Sequence, residues 1–364
     1  MRHRVMDWLE VRIGLSELVR GQLTEYRVPR GINVFYTLGF VALAAFAIQV
    51  LSGIVLLVYY VPYSEKAFES VQGIMTEVHY GWLFRQIHVV SSNLMVVVVF
   101  LHMASVFVMG SYKRPRELTW VVGVLMFLST LAFCVTGYLL PWSQLSYWAT
   151  TIVTDMPTAF PLVGEALTKL LRGGQRVSGI TLNRFFAFHV ALIPLAFIFL
   201  AGFHVFLVRR TGISTPPYGS SPEEEGRRTA YRHESHPGGH PFYPYFVAKE
   251  TYMTMAYLAA VFFVIAFMPT LFLPEEANVP ADPSRTPAHI KPEWYFLAPY
   301  QMLRLIPNKF LGITLQLMFV GVVLLWPFVD RREERNILRR PLLLGALVLA
   351  VAAWAVLTAW GRYS

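Results

Sequence analysis

Charge is scarce in this chain of 364 residues: Asp, Glu, Lys and Arg make up 15%, against 55% hydrophobic types. An ordinary soluble domain carries about a quarter charged residues. The deficit argues against a water-soluble globular fold and for lipid as the surrounding medium. Cysteine is nearly absent. Its one copy, Cys134, lies inside an apolar run, so no intrachain disulfide framework and no paired-cysteine metal motif is possible. Cys134 reads as a small buried hydrophobe. A secretory leader pattern is missing too, because Met1–Arg20 mixes charged and apolar residues at helical spacing without a continuous apolar core. That pattern suits a helix lying on a membrane surface. The net charge of +9 does not point to nucleic acid, since the cations sit in short blocks between long apolar runs. Membrane-flanking cations have that distribution.

What is abundant is long apolar sequence. A helix crossing about 30 Å of hydrocarbon needs about 20 mostly apolar residues. Seven segments qualify: Val34–Tyr60, Gln86–Met109, Thr119–Leu140, Phe185–Val208, Thr254–Leu273, Phe310–Val329 and Pro341–Trp360. The fold class is therefore an all-α integral membrane protein with seven transmembrane helices. One set of loops holds the N-terminal arm, Lys113, Arg114, Arg116, Arg209, Arg210 and the run Arg331–Arg340, and should face the cytoplasm. The other set carries Glu65, Glu69, Glu77, Asp155, Glu165, Glu275, Glu276, Asp282 and Glu293 with fewer cations, and should face the opposite, positive side. Phe160, Val163, Leu167 and Leu170 recur at helical spacing in the loop Pro157–Gly174, which predicts a short interfacial helix. The organisation expected is a cytoplasmic-side amphipathic arm (1–33), a four-helix unit (34–210), a cytoplasmic linker (211–244) rich in Pro, Gly, Ser and charge, and a three-helix unit (245–364).

Four of the ten histidines fall within spans: His88 and His102 on the second, His189 and His204 on the fourth. Ionisable residues in spans are costly and usually functional. His88 and His102 are fourteen residues apart, which is about 21 Å and nearly four whole turns, so they share a face. His189 and His204 are fifteen apart, within about 60° of one face. The second and fourth spans run parallel. His88 is therefore level with His189, and His102 with His204. Two imidazoles at each of two depths, with no thiolate or carboxylate beside them, suit six-coordinate haem better than zinc or a di-iron centre. Gly39 and Gly53 on the first span, and Gly123 and Gly137 on the third, repeat the fourteen-residue interval. A missing side chain there lets backbone approach a flat cofactor. Arg85 and Arg184 lie at the same membrane edge, where a haem propionate needs a cation.

At this point the chain resembles a known family, the cytochrome b of quinol–cytochrome c and quinol–plastocyanin oxidoreductases. The resemblance rests on Gly137–Tyr–Leu–Leu–Pro–Trp142, Thr181–Leu–Asn–Arg–Phe–Phe–Ala–Phe–His189, Pro292–Glu–Trp–Tyr295 and Ile306–Pro–Asn–Lys309 together with the four histidines. Ile74–Met–Thr–Glu77, Pro115–Arg–Glu–Leu–Thr–Trp120, the fifteen-residue histidine interval and the seven spans lean to the plastid-type branch, with its two usual chains fused here. That branch carries a cysteine for a covalent c-type haem where Thr37 stands, and tends to have an arginine, near the cytoplasmic-side haem, where Ser105 stands. Threonine forms no thioether, so two non-covalent b-type haems and no covalent haem are expected.

The resemblance implies a pocket between Pro292–Tyr295 and the end of the third span, where quinol gives one electron to a Rieske iron–sulfur protein. The other electron passes through the His88–His189 haem and the His102–His204 haem to a quinone at the cytoplasmic face. Glu293 is the implied proton acceptor, and Tyr295, Tyr138 and Tyr300 are candidate pocket residues. A c-type cytochrome, a homodimer and a bacterial cytoplasmic membrane with the N-terminus inside are implied as well. The rival readings are a di-haem anchor of a dehydrogenase or hydrogenase, which usually has four or five spans, and a transporter using the histidines as a proton relay. The Pro292–Tyr295 loop and the three-span half argue against the anchor, and a haem-positive preparation with twin b-type signals would exclude the transporter.

Overall fold

The structure is a computed structural model that describes residues 2–218, 236, 238–287 and 290–364. Most of the expected linker 211–244, including Glu223–Glu224–Glu225, lies outside the described residues. Chain order is α1 (Arg2–Ile13), α2 (Leu15–Val19), β1 (Arg27–Val28), α3 (Val34–Leu57), α4 (Ala67–Thr76), α5 (Gly81–Val108), α6 (Glu117–Leu139), α7 (Gln144–Asp155), α8 (Gly164–Arg172), α9 (Gly179–Thr211), β2 (His240–Pro241), α10 (Phe242–Phe267), α11 (Leu297–Leu305), α12 (Lys309–Val329) and α13 (Pro341–Tyr363). Among the described residues seven helices are long and apolar enough to cross a membrane: α3, α5, α6, α9, α10, α12 and α13.

Local chemistry sets the ends of these helices. Asn33 accepts a hydrogen bond from Phe35 N at the start of α3, and Asn308 accepts one from Leu311 N at the start of α12. Ser143 and Ser178 each form a reciprocal capping box ahead of α7 and α9. Gly173 ends α8 in the left-handed conformation, which costs glycine nothing.

The fifth span departs from the sequence expectation. It runs Phe242–Phe267 instead of Thr254–Leu273. Composition alone rejects Lys249 and Glu250. In the fold, however, Lys249 reaches the Ile32 carbonyl at 3.2 Å and Glu250 is buried. At the other end Pro269 blocks continuation of the helix, although Leu271, Phe272 and Leu273 extend the apolar run. The interfacial helix expected in Pro157–Gly174 is α8, with Val163, Leu167 and Leu170 exposed.

Helices α3, α5, α6 and α9 form a bundle in which α3 packs along α5 and α6 along α9. Its centre is aromatic: the rings of Phe46 and Phe197 lie 4.4 Å apart, tilted at 36°, and Phe133 packs against both. Helix α10 lies on α3 and α5, α12 lies on α6, and α11 sits against α13. Buried polar contacts join the two halves. Ser91 and Tyr257 share a hydrogen bond of 2.7 Å, and Trp120 Nε1 donates to the Val323 carbonyl at 2.7 Å. Asp330, after α12, pairs with Lys113 at 2.8 Å and Arg340 at 2.7 Å and accepts from the Tyr112 hydroxyl.

Candidate functional site

Helix α5 carries His88 and His102 through an unbroken α-helical stretch. Helix α9 is different. A single wide turn, Phe188–Leu192, interrupts it, closed by Ile193 N–H donating five residues back to Phe188 O. Pro194 follows at once and has no N–H to offer Val190. A turn of this kind admits one extra residue into the ladder. It absorbs the odd residue of the fifteen-residue interval, so His189 and His204 meet α6 at the same spacing as Gly123 and Gly137.

The four glycines each face one histidine. A side-chain carbon placed on Gly53 would lie 3.3 Å from His88 Cε1, and one on Gly39 3.1 Å from His102 Cε1. For Gly123 the distance to His204 Cε1 would be 3.3 Å, and for Gly137 to His189 Cε1 only 2.6 Å. Any side chain at these positions would crowd an imidazole. The rings of His88 and His189 are 6.3 Å apart between centres, with planes inclined at 76°. His102 lies within electrostatic reach of His204. Among the described residues no group of three or more His, Cys, Asp and Glu could hold a metal ion. A metal with only two protein ligands needs its remaining ligands from a cofactor, as a porphyrin supplies them to iron. Two metal–imidazole bonds of about 2 Å, plus about 1 Å from each ring nitrogen to its ring centre, span roughly 6 Å. The pair His88–His189 fits that dimension, and the bare glycine surfaces fit a flat plate.

A cavity of about 430 Å³ opens from His88 and His189, and Gly53, Gly137 and Arg85 line it. Arg85 is buried and meets no acidic group among the described residues. Arg184 is placed elsewhere. It donates to the carbonyls of Lys169 and Leu170 at the end of α8, where a cation satisfies the last helix carbonyls. The same cavity reaches Tyr138, Cys134, Glu293 and Tyr295. Tyr300 does not line it; its ring lies beneath the Arg304 guanidinium at 5.9 Å.

The segment carrying Glu293 is pinned by its neighbour. Trp294 Nε1 donates to Asn93 Oδ1 at 3.0 Å, and Asn93 Nδ2 donates to the Val89 carbonyl at 3.0 Å. Burial pushes the Glu293 carboxyl up to about 7, against the opposing hydrogen bond from Tyr138. Burial also holds the Tyr295 phenol well above its usual range. Burial in a mostly apolar cavity thus favours the protonated form of Glu293.

Thr37 is fully buried and donates to the Val34 carbonyl at 2.7 Å. Ser105 donates to the His102 carbonyl at 2.8 Å. Glu250 is a buried carboxylate that the sequence reading missed. It sits in the first turns of α10, beside the start of α3, and so at the His102 end of the bundle. The available signal was an acidic residue followed by a long apolar run.

A family model described as cytochrome b/b6/petB matches residues 23–212, and one described as cytochrome b(C-terminal)/b6/petD matches 280–364. Cytochrome b of Rickettsia conorii is 35% identical over 341 residues, covering 93% of this chain and 81% of that one. Cytochrome b of Allochromatium vinosum is 36% identical over 338 residues, covering 91% and 81%. A solved structure described as a hyperthermophilic respiratory Complex III matches with a TM-score of 0.89 and 38% identity, covering 98% of this chain and 91% of that one.

Proposed function

The chain belongs to the cytochrome b family, and from that premise we propose that it oxidises quinol beside Glu293 and relays one electron across the membrane. At the coarse level it is the cytochrome b subunit of a Complex III-like oxidoreductase, an integral membrane protein of a family that binds b-type haem. The finer reading assigns one haem to His88 and His189 and a second to His102 and His204. The carrying observation is the facing imidazole pair in one cavity with Glu293 and Tyr138. When bound, the two haems supply one-electron chemistry between two quinone pockets.

The chain's own residues do the remaining work. Gly39, Gly53, Gly123 and Gly137 leave room beside each imidazole. Arg85 offers a buried positive charge to an anionic substituent of the cofactor. Glu293 accepts a proton from the quinol hydroxyl, and Tyr138 orients its carboxylate. Tyr295 stays protonated and walls the pocket with Cys134. At the far end, Glu250 is the carboxylate placed to deliver a proton to quinone. A Rieske iron–sulfur protein and a c-type cytochrome are the partners of this scheme, in a homodimer. The cytoplasmic side is the one bearing Lys113, Arg116 and Arg335. With Thr37 at the position of the plastid-type cysteine, no covalent haem belongs to the scheme.

The test is a reduced-minus-oxidised spectrum of the purified His102→Leu protein. One b-type signal should disappear and the other should remain. Retention of both would refute the ligand assignment. The single anchor-type alternative predicts haems but no inhibition of turnover on replacing Glu293.

A further inference from the structure

Ser52 and Thr136 hold equivalent places in α3 and α6, each immediately before a glycine that faces a histidine. Ser52 Oγ lies 2.9 Å from His88 Nδ1, and Thr136 Oγ1 lies 3.2 Å from His189 Nδ1. Each hydroxyl also donates to the carbonyl four residues back in its own helix, Ser52 to Ile48 at 2.7 Å and Thr136 to Ala132 at 2.8 Å. A hydroxyl has one proton and two lone pairs. With its proton committed to the helix carbonyl, it can only accept from the imidazole. In both rings Nδ1 then carries the hydrogen, and Nε2 keeps the lone pair that a metal requires.

The other depth lacks this device. The positions before Gly39 and Gly123 are Leu38 and Val122, both buried and neither with a hydroxyl. Backbone carbonyls reach both depths, those of Gln49 and Phe133 at His88 and His189 and that of Thr119 at His204, each four residues before a glycine, whereas His102 has neither a carbonyl nor a hydroxyl partner among the described residues. The Nδ1 atoms of His102 and His204 are buried and have no partner of full hydrogen-bond geometry among the described residues.

We propose that Ser52 and Thr136 are positioning residues that hold the redox potential of the His88–His189 haem below that of the His102–His204 haem, an inference that rests on the haem assignment above. A hydrogen bond accepted from Nδ1–H makes the imidazole a stronger donor at Nε2. A stronger axial donor favours the oxidised iron, and hydrogen bonding around the ligands is one of the levers a protein has on haem potential. Two such bonds at one depth and none at the other give the electron a downhill direction, from the Glu293 end toward the His102 end.

The experiment is a potentiometric titration of the b-type absorbance in the purified complex, for wild type, Ser52→Ala, Thr136→Val and the double variant. Each single change should shift the oxidised-to-reduced ratio of one titration wave toward reduction by roughly threefold to tenfold, tenfold being about 59 mV for a one-electron couple. The double variant should shift further, while the second wave stays in place. Ser52→Thr and Thr136→Ser should keep both waves at wild-type values. Val122→Thr adds a hydroxyl of nearly equal shape beside His204 and should lower the second wave. Two intact waves that do not move in Ser52→Ala or Thr136→Val overturn the proposal, as do two waves that move equally. If Thr136→Val loses a haem, Ser52→Ala decides alone. A wild-type protein with fewer than two b centres overturns the haem assignment itself and this proposal with it.

Discussion

Single atoms carry most of the chemistry in this bundle. A methyl group on Gly137 would sit 2.6 Å from His189, a distance no real contact tolerates, whereas on Gly53 it would sit 3.3 Å from His88. Gly137→Ala should therefore reduce the haem content to about one per chain, and Gly53→Ala should retain more, as measured by pyridine haemochrome. Glu293 makes a second prediction at this scale. Its carboxyl is raised to about 7 by burial, and only the ionised form accepts a proton. Quinol oxidation should rise with pH up to about 7 and then level off. Glu293→Gln should lower the rate by about 10²-fold, the lower end of what a positioned base contributes, and abolish that limb of the pH profile while both b signals remain. Unchanged turnover would remove Glu293 from the proton path. The four histidines, the four glycines and Glu293 were legible in the sequence because helical periodicity and a short motif isolate them. Ser52 and Thr136 were not. A hydroxyl in a membrane helix ordinarily bonds its own backbone, and only the packed fold reveals that its remaining lone pair meets an imidazole.

At the scale of elements, the sequence marked seven spans but could not foresee the wide turn at Phe188–Leu192. The fifteen-residue interval was visible, and Pro194 was visible. Which turn takes up the extra residue is decided by the packing of α9 against α6. The fifth span was displaced for a similar reason. Lys249 and Glu250 look like loop residues until the fold gives Lys249 the Ile32 carbonyl and buries Glu250. Arg184, expected from its place at the membrane edge to meet a cofactor, donates in the fold to the carbonyls at the end of α8. The loop before α11 depends on the Trp294–Asn93 bond. Trp294→Phe keeps the ring and removes the donor. It should raise the KM for quinol several-fold and leave both haem spectra unchanged; an unchanged KM would show that the loop is held by packing alone.

For the whole molecule, buried polar contacts join the two halves alongside their apolar faces. Burial alone would push the Asp330 carboxyl up, but hydrogen bonds from Arg340, Lys113 and Tyr112 overcome this and hold it well below the usual carboxylate range. Its folded value is depressed, so its contribution to stability is present above the ordinary carboxylate range and is lost as pH falls toward the folded value. Asp330→Asn would leave Lys113 and Arg340 buried and uncompensated, at a cost of about 3–5 kcal/mol. The thermal midpoint in detergent should fall clearly at pH 7, as read by loss of the b-type absorbance. The exposed apolar faces of α9, α12 and α13 belong to lipid or to partner subunits, which is why composition alone identified the medium so readily.

The central claim is that two parallel helices hold two haems at two depths. The most direct measurement is haem b per chain in the purified wild-type protein, combined with low-temperature electron paramagnetic resonance of the oxidised state. The account predicts two haems per chain, both low-spin with two imidazole ligands. A single haem, or a high-spin signal from an iron lacking its second imidazole, would contradict it.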